Sequence, residues 1–80
     1  MKIKLRAFGI AKDIINTSIL DLELEEKASI SDVKNRLIEK YPDFSKLKSL
    51  RFAVNEDYQS DSFTLENNDE IVIIPPVSGG

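Results

Sequence analysis

Eighty residues with a net charge of −3 make a one-core chain, and the absence of Cys and His removes the commonest nucleophile, the commonest base and the usual ligands of zinc or iron. No bound metal or permanent cofactor is therefore expected. A chain without disulfides suits a reducing cytoplasm, and residues 2–8 alternate charged and apolar side chains where a signal peptide or membrane anchor needs a continuous apolar run.

The charge is unevenly spread. Residues 1–51 hold all eleven Lys and Arg against eight carboxylates, whereas residues 52–80 hold Glu56, Asp57, Asp61, Glu66, Asp69 and Glu70 and no basic side chain. An electronegative C-terminal part repels phosphate backbones and steers toward a basic protein surface, so a protein partner is expected, with neither nucleic acid nor membrane. Lys34, Arg36 and Lys40 form the polar side of a helix without interleaved aromatics, and Glu25 and Glu26 read as solvated charges at a strand end.

In chain order, residues 2–8 have the period-2 pattern of a strand with one covered face: Ile3, Leu5 and Ala7 on one side, Lys2, Lys4, Arg6 and Phe8 on the other. Residues 9–17 open with Gly9 and read as the loop of a wide hairpin. Leu20, Leu22 and Leu24 then alternate with acidic residues in a second strand over residues 18–25. The period changes at Ile30, Val33, Leu37 and Tyr41, whose spacings of three, four and four predict a helix. Ser29 is its N-cap, Asp32 completes a capping box, and Pro42 stops it.

Phe44, Leu47 and Leu50 are apolar anchors of the connection to a third strand over residues 50–55. A polar stretch over residues 56–62 leads to a short segment around residues 63–65. Asn67 and Asn68 predict a turn, because Asn tolerates the left-handed conformation. The last strand, residues 71–74, is apolar throughout, which implies cover on both faces, by the chain's own core on one side and by core or partner on the other. Two strands, a helix and two more strands predict an α+β domain over residues 1–74, with the helix on one face of a single sheet.

Residues 75–80 read Pro75, Pro76, Val77, Ser78, Gly79 and Gly80. Two prolines hold an exit segment extended and remove two backbone donors. Six extended residues reach about 20 Å, far enough to enter a neighbouring protein's cleft. Glycines without Cβ atoms pass a channel too narrow for side chains and present the terminal carboxylate of Gly80 to a reagent. The expected reactive group is that carboxylate, with Gly79 beside it.

The segments Ala53-Val54-Asn55, Asn68-Asp69-Glu70-Ile71 and Pro75-Pro76-Val77-Ser78-Gly79-Gly80, with Phe8-Gly9 and Lys12-Asp13, resemble the small subunit of molybdopterin synthase, the MoaD-like proteins. The resemblance spans the chain, and its most specific part is the last six residues. It implies a ubiquitin-like β-grasp fold with a mixed sheet, strand–strand–helix–strand–strand along the chain. It implies a non-catalytic sulfur-carrying subunit that acts in molybdenum cofactor biosynthesis with a larger synthase subunit, in a heterotetramer. An ATP-using activating enzyme of the ubiquitin-activating type would adenylate Gly80, and a persulfide donor would supply sulfur for a thiocarboxylate there. A ubiquitin-like modifier joined through Gly80 and a thiamine-pathway sulfur carrier are the alternatives.

The expected partner surface comprises Phe8, Tyr58, Val72 and Ile74, continuing through Pro75, Pro76, Val77 and Ser78. Phe8 lies opposite its strand's core face, and the resemblance places Phe8, Tyr58 and Ile74 at apolar contact positions of the family. Val72 and Ile74 face outward if Ile71 and Ile73 face the helix; the opposite register exchanges the two pairs.

Overall fold

A computed structural model describes residues 1–47 and 50–74. The expected tail, residues 75–80, lies outside the described residues. Along the chain run β1 (Lys2–Ala7), α1 (Gly9–Ile15), β2 (Ile19–Glu23), α2 (Ile30–Lys40), a 3₁₀ turn (Pro42–Lys46), β3 (Arg51–Val54), β4 (Asp57–Gln59) and β5 (Glu70–Ile74). Among the described residues the strands form one mixed sheet in the order β2-β1-β5-β3-β4, in which β1 runs parallel to the central strand β5 and the other pairs are antiparallel.

Alternation decides the faces of the sheet. Ile3, Leu5 and Ala7 of β1, Leu22 of β2, Phe52 and Val54 of β3, and Ile71 and Ile73 of β5 point into one core with Ile30, Val33 and Leu37 of α2. Full burial of such a side chain contributes about 1.5–3 kcal/mol, so the covered face dominates stability. Helix α2 begins as expected. The Ser29 hydroxyl accepts from the Asp32 N–H at 3.4 Å, and the Asp32 carboxylate accepts from the Ser29 N–H at 2.8 Å. It ends at Tyr41, and Pro42 opens the 3₁₀ turn that tucks Phe44 into the core.

Two expectations are corrected. Residues 9–15 form a helix, not a loop: Ala11 and Ile15 are buried, Ile14 packs beside them, and Asn16 in the left-handed region closes the helix by donating from its N–H to the Lys12 carbonyl at 2.8 Å. Seven residues are too few for a helix to persist alone, so α1 exists because the core accepts Ala11 and Ile15. The polar stretch after β3 likewise contains a strand. Asn55 and Glu56, both at positive φ, turn the chain so that β4 pairs with β3 through Phe52–Gln59, Ala53–Tyr58 and Val54–Asp57. Residues 63–65 add a bridge to the start of α2, where the Phe63 carbonyl accepts from the Ile30 N–H at 3.0 Å and the Ala28 carbonyl accepts from the Leu65 N–H at 2.8 Å.

The expected turn at Asn67 and Asn68 is present, with Asn68 at φ 70°. The Asn67 side chain accepts from the Lys2 N–H at 2.8 Å, and the Lys2 carbonyl accepts from the Asn68 N–H at 2.7 Å, which ties this turn to the start of β1.

Candidate functional site

The face of the sheet opposite α2 is built by the outward residues of all five strands, and the strand register arranges them in rows. The middle row runs Ile19, Arg6, Val72, Ala53 and Tyr58 from β2 across to β4. One step toward the end of β5 lie Ile74, opposite Arg51, and Phe8, still extended two residues beyond Arg6. One step the other way lie Asp21, Lys4 and Glu70, and then Glu23 and Lys2. The open face is thus charged at one end and largely apolar at the other. The apolar end is where β5 finishes at Ile74, directly before Pro75 in sequence.

Exposure follows the same division. Phe8 is 55% exposed, Tyr58 66% and Ile19 42%, values unusual for large apolar side chains grouped together on a small domain. Val72 and Ile74 are half-buried, whereas Ile71 and Ile73 are fully buried, so the register of β5 is the one with Val72 and Ile74 outward. The four expected side chains Phe8, Tyr58, Val72 and Ile74 share this end of the sheet. Pro75, Pro76, Val77, Ser78, Gly79 and Gly80 lie outside the described residues.

Sequence reasoning missed Ile19, Ala53 and Arg6 as members of this surface. Ile19 lies on the acidic side of the β2 alternation, and Arg6 was grouped with the lysines of β1. Only cross-strand register places Arg6 and Ala53 beside Val72 and Ile19 beside Arg6. The Arg6 Nε lies 2.8 Å from the Glu70 Oε1 in an ion pair.

Asp69 and Glu70 make hydrogen bonds within the chain. Asp69 accepts from the Asn55 side-chain amide at 3.0 Å and from the Glu66 N–H at 2.8 Å, while the Glu70 N–H donates to the Asn55 side-chain oxygen at 3.2 Å. Asn55 therefore clamps the β3–β4 turn to the start of β5. Lys34 pairs with Asp61 at 3.8 Å, and Arg36 and Lys40 are exposed, as a solvated helix face requires. Among the described residues there is no cluster of His, Cys, Asp and Glu fit for a metal ion, and no helix is long and apolar enough to cross a membrane. What the arrangement offers is a largely apolar surface beside β5, whose last residue, Ile74, directly precedes Pro75 in sequence.

Known proteins share this fold. Residues 6–80 match the model of the ThiS family. The molybdopterin synthase sulfur carrier subunit of Dictyostelium discoideum is 38% identical over 96% of this chain and 94% of its own length. That of Arabidopsis thaliana is 31% identical over 100% of this chain and 84% of its own length. Among solved structures, the putative molybdopterin converting factor subunit 1 of Pyrococcus furiosus superposes with a TM-score of 0.89 at 22% identity, over 96% of this chain and 99% of that one. SAMP1 of Haloferax volcanii gives 0.85 at 17% identity, over 100% of both chains. The complex of subunits 1 and 2 of the molybdopterin-converting factor from Helicobacter pylori gives 0.69 at 23% identity, over 100% of both chains. At these identities the solved structures establish the fold, a ubiquitin-like mixed sheet with a helix packed on it. The match over residues 6–80 and the agreement of two relatives above 30% identity establish the family: this chain belongs to the ThiS family.

Proposed function

We propose that this chain is the sulfur-carrying subunit of a molybdopterin synthase, and that its reactive group is the carboxylate of Gly80. The observation that carries the reading is the similarity to curated sulfur carrier subunits along essentially the whole chain, including the residues that end in Gly79 and Gly80. The open apolar face supports it, since a carrier must dock before its tail is used. A complex of subunits 1 and 2 of the molybdopterin-converting factor is known from Helicobacter pylori, and it contains a chain that superposes on this one.

In the proposed cycle a carboxylate is first activated, because its oxyanion is not a leaving group. An activating enzyme uses ATP to form the acyl-adenylate at Gly80 and releases pyrophosphate. The terminal sulfur of a persulfide attacks the carbonyl carbon and AMP departs; a thiol then cleaves the sulfur–sulfur bond, taking the donor sulfur into a disulfide and leaving the thiocarboxylate. With this tail inserted, the larger synthase subunit transfers the sulfur to a cyclic pterin phosphate. The acid–base chemistry belongs to the partners, which agrees with a chain that has no Cys and no His.

The test is the intact mass of the chain after incubation with extract of its own cells, ATP and a sulfide source. The expected result is a gain equal to replacing one oxygen by one sulfur, absent from a Gly80 deletion that unfolds at the same temperature as wild type. No gain, with Gly80-dependent conjugates to other proteins in its place, would overturn the carrier reading in favour of a modifier.

A further inference from the structure

Arg6 is anomalous on the open face. It is the one cation in the middle row, set between Ile19 and Val72 with Ala53 and Tyr58 beyond. Its Nε is shielded from solvent and makes no hydrogen bond, although the Glu70 Oε1 is 2.8 Å away, so the pair is close in charge but misaligned as a donor and acceptor. Both side chains remain about half exposed, at 40% and 45%, and an ion pair of that exposure contributes little and is easily exchanged.

We propose that Arg6 reads the charge of the docking partner: the protein that covers the apolar end of the sheet places a carboxylate on the Arg6 guanidinium, between Ile19 and Val72 in the row that continues through Ala53 to Tyr58. Covering the flanking Ile19 and Val72 removes water from around Arg6. A guanidinium left there without an acceptor is costly, whereas a carboxylate meets its planar fork with two parallel hydrogen bonds. The apolar row thus provides contact area and Arg6 provides discrimination, since a partner lacking the acidic group is penalised and not merely unrewarded. Glu70 holds the cation over the row in the free protein and yields it on docking. The inference rests on the sulfur-carrier reading only for the identity of the partner, the larger synthase subunit.

Binding of purified large subunit is measured by calorimetry at low and high salt for wild type, R6Q, R6K and K2Q, with thermal unfolding of each. Lys2 is a cation at the far, charged end of the same face, so K2Q removes one charge without touching the row that holds Arg6. R6Q is expected to weaken binding by about thirtyfold or more and to flatten its salt dependence, with R6K intermediate and K2Q close to wild type. R6Q and R6K binding like wild type, or K2Q weakening binding as much as R6Q, overturns the role of Arg6 and leaves the carrier reading standing. Wild type that fails to bind overturns both. Sedimentation of the chain alone completes the test: a dimer dissolved by R6Q would assign the face to a second copy and overturn the proposal.

Discussion

Ile73 and Ile74 are adjacent in β5 and chemically identical, so a pair of alanine variants isolates the effect of the face on which each lies. Ile73 is fully buried, with Ala7 and Phe52 as its register partners, and Ile74 is half-buried opposite Arg51 on the open face. Ile73→Ala deletes buried carbon from the centre of the sheet, where the strands on both sides hold the backbone and limit collapse of the cavity. The expected loss is about 2–5 kcal/mol. A domain of this size has about 4–12 kcal/mol in total, so the variant sits near the edge of folding. With a urea slope of about 1 kcal/mol per molar, a loss of 3 kcal/mol moves the unfolding midpoint down by about 3 M. Ile74→Ala opens no internal cavity, and its expected loss is below about 1 kcal/mol. Equilibrium urea unfolding followed by far-UV circular dichroism measures both. Equal losses, or a larger loss for Ile74→Ala, would refute the assigned register of β5 and with it the composition of the open face.

The turn that positions Tyr58 yields two further expectations. Asn55→Ala removes the clamp to Asp69 and Glu70 and puts alanine at φ 49°, so a loss of about 1–2 kcal/mol is expected in the same urea experiment; a variant as stable as wild type would show that the clamp does not hold the turn. Glu56 lies at φ 80° with an exposed side chain, and Glu56→Gly is expected to raise stability by about 0.5–1 kcal/mol through relief of that strain. A drop in stability there would count against the left-handed turn.

Much of this molecule is legible in local sequence, because alternation, helical spacing and capping are properties of neighbouring residues. The covered face of β1, the start of α2 at Ser29 and Asp32, its stop at Pro42 and the left-handed Asn68 are all readable in this way. Helix α1 was obscured by Gly9, which suggests a loop, although Ala11, Ile14 and Ile15 carry a short helical spacing; a segment so brief is helical only because the core receives it. Strand β4 gave even less signal, with Tyr58 its one apolar residue and its pairing dependent on two non-glycine residues at positive φ. The outward face was readable strand by strand, yet its pattern was not. Which side chains become neighbours depends on register between strands distant in sequence, and a shift of one residue exchanges every inside position for an outside one. Sequence alone therefore determined the faces of the main strands, the main helix and the composition of residues 75–80. Only tertiary pairing decided that Arg6 stands among Ile19, Val72 and Ala53 and that the apolar rows meet at the end of β5, because those neighbours are fixed by hydrogen bonding across the sheet and not along the chain.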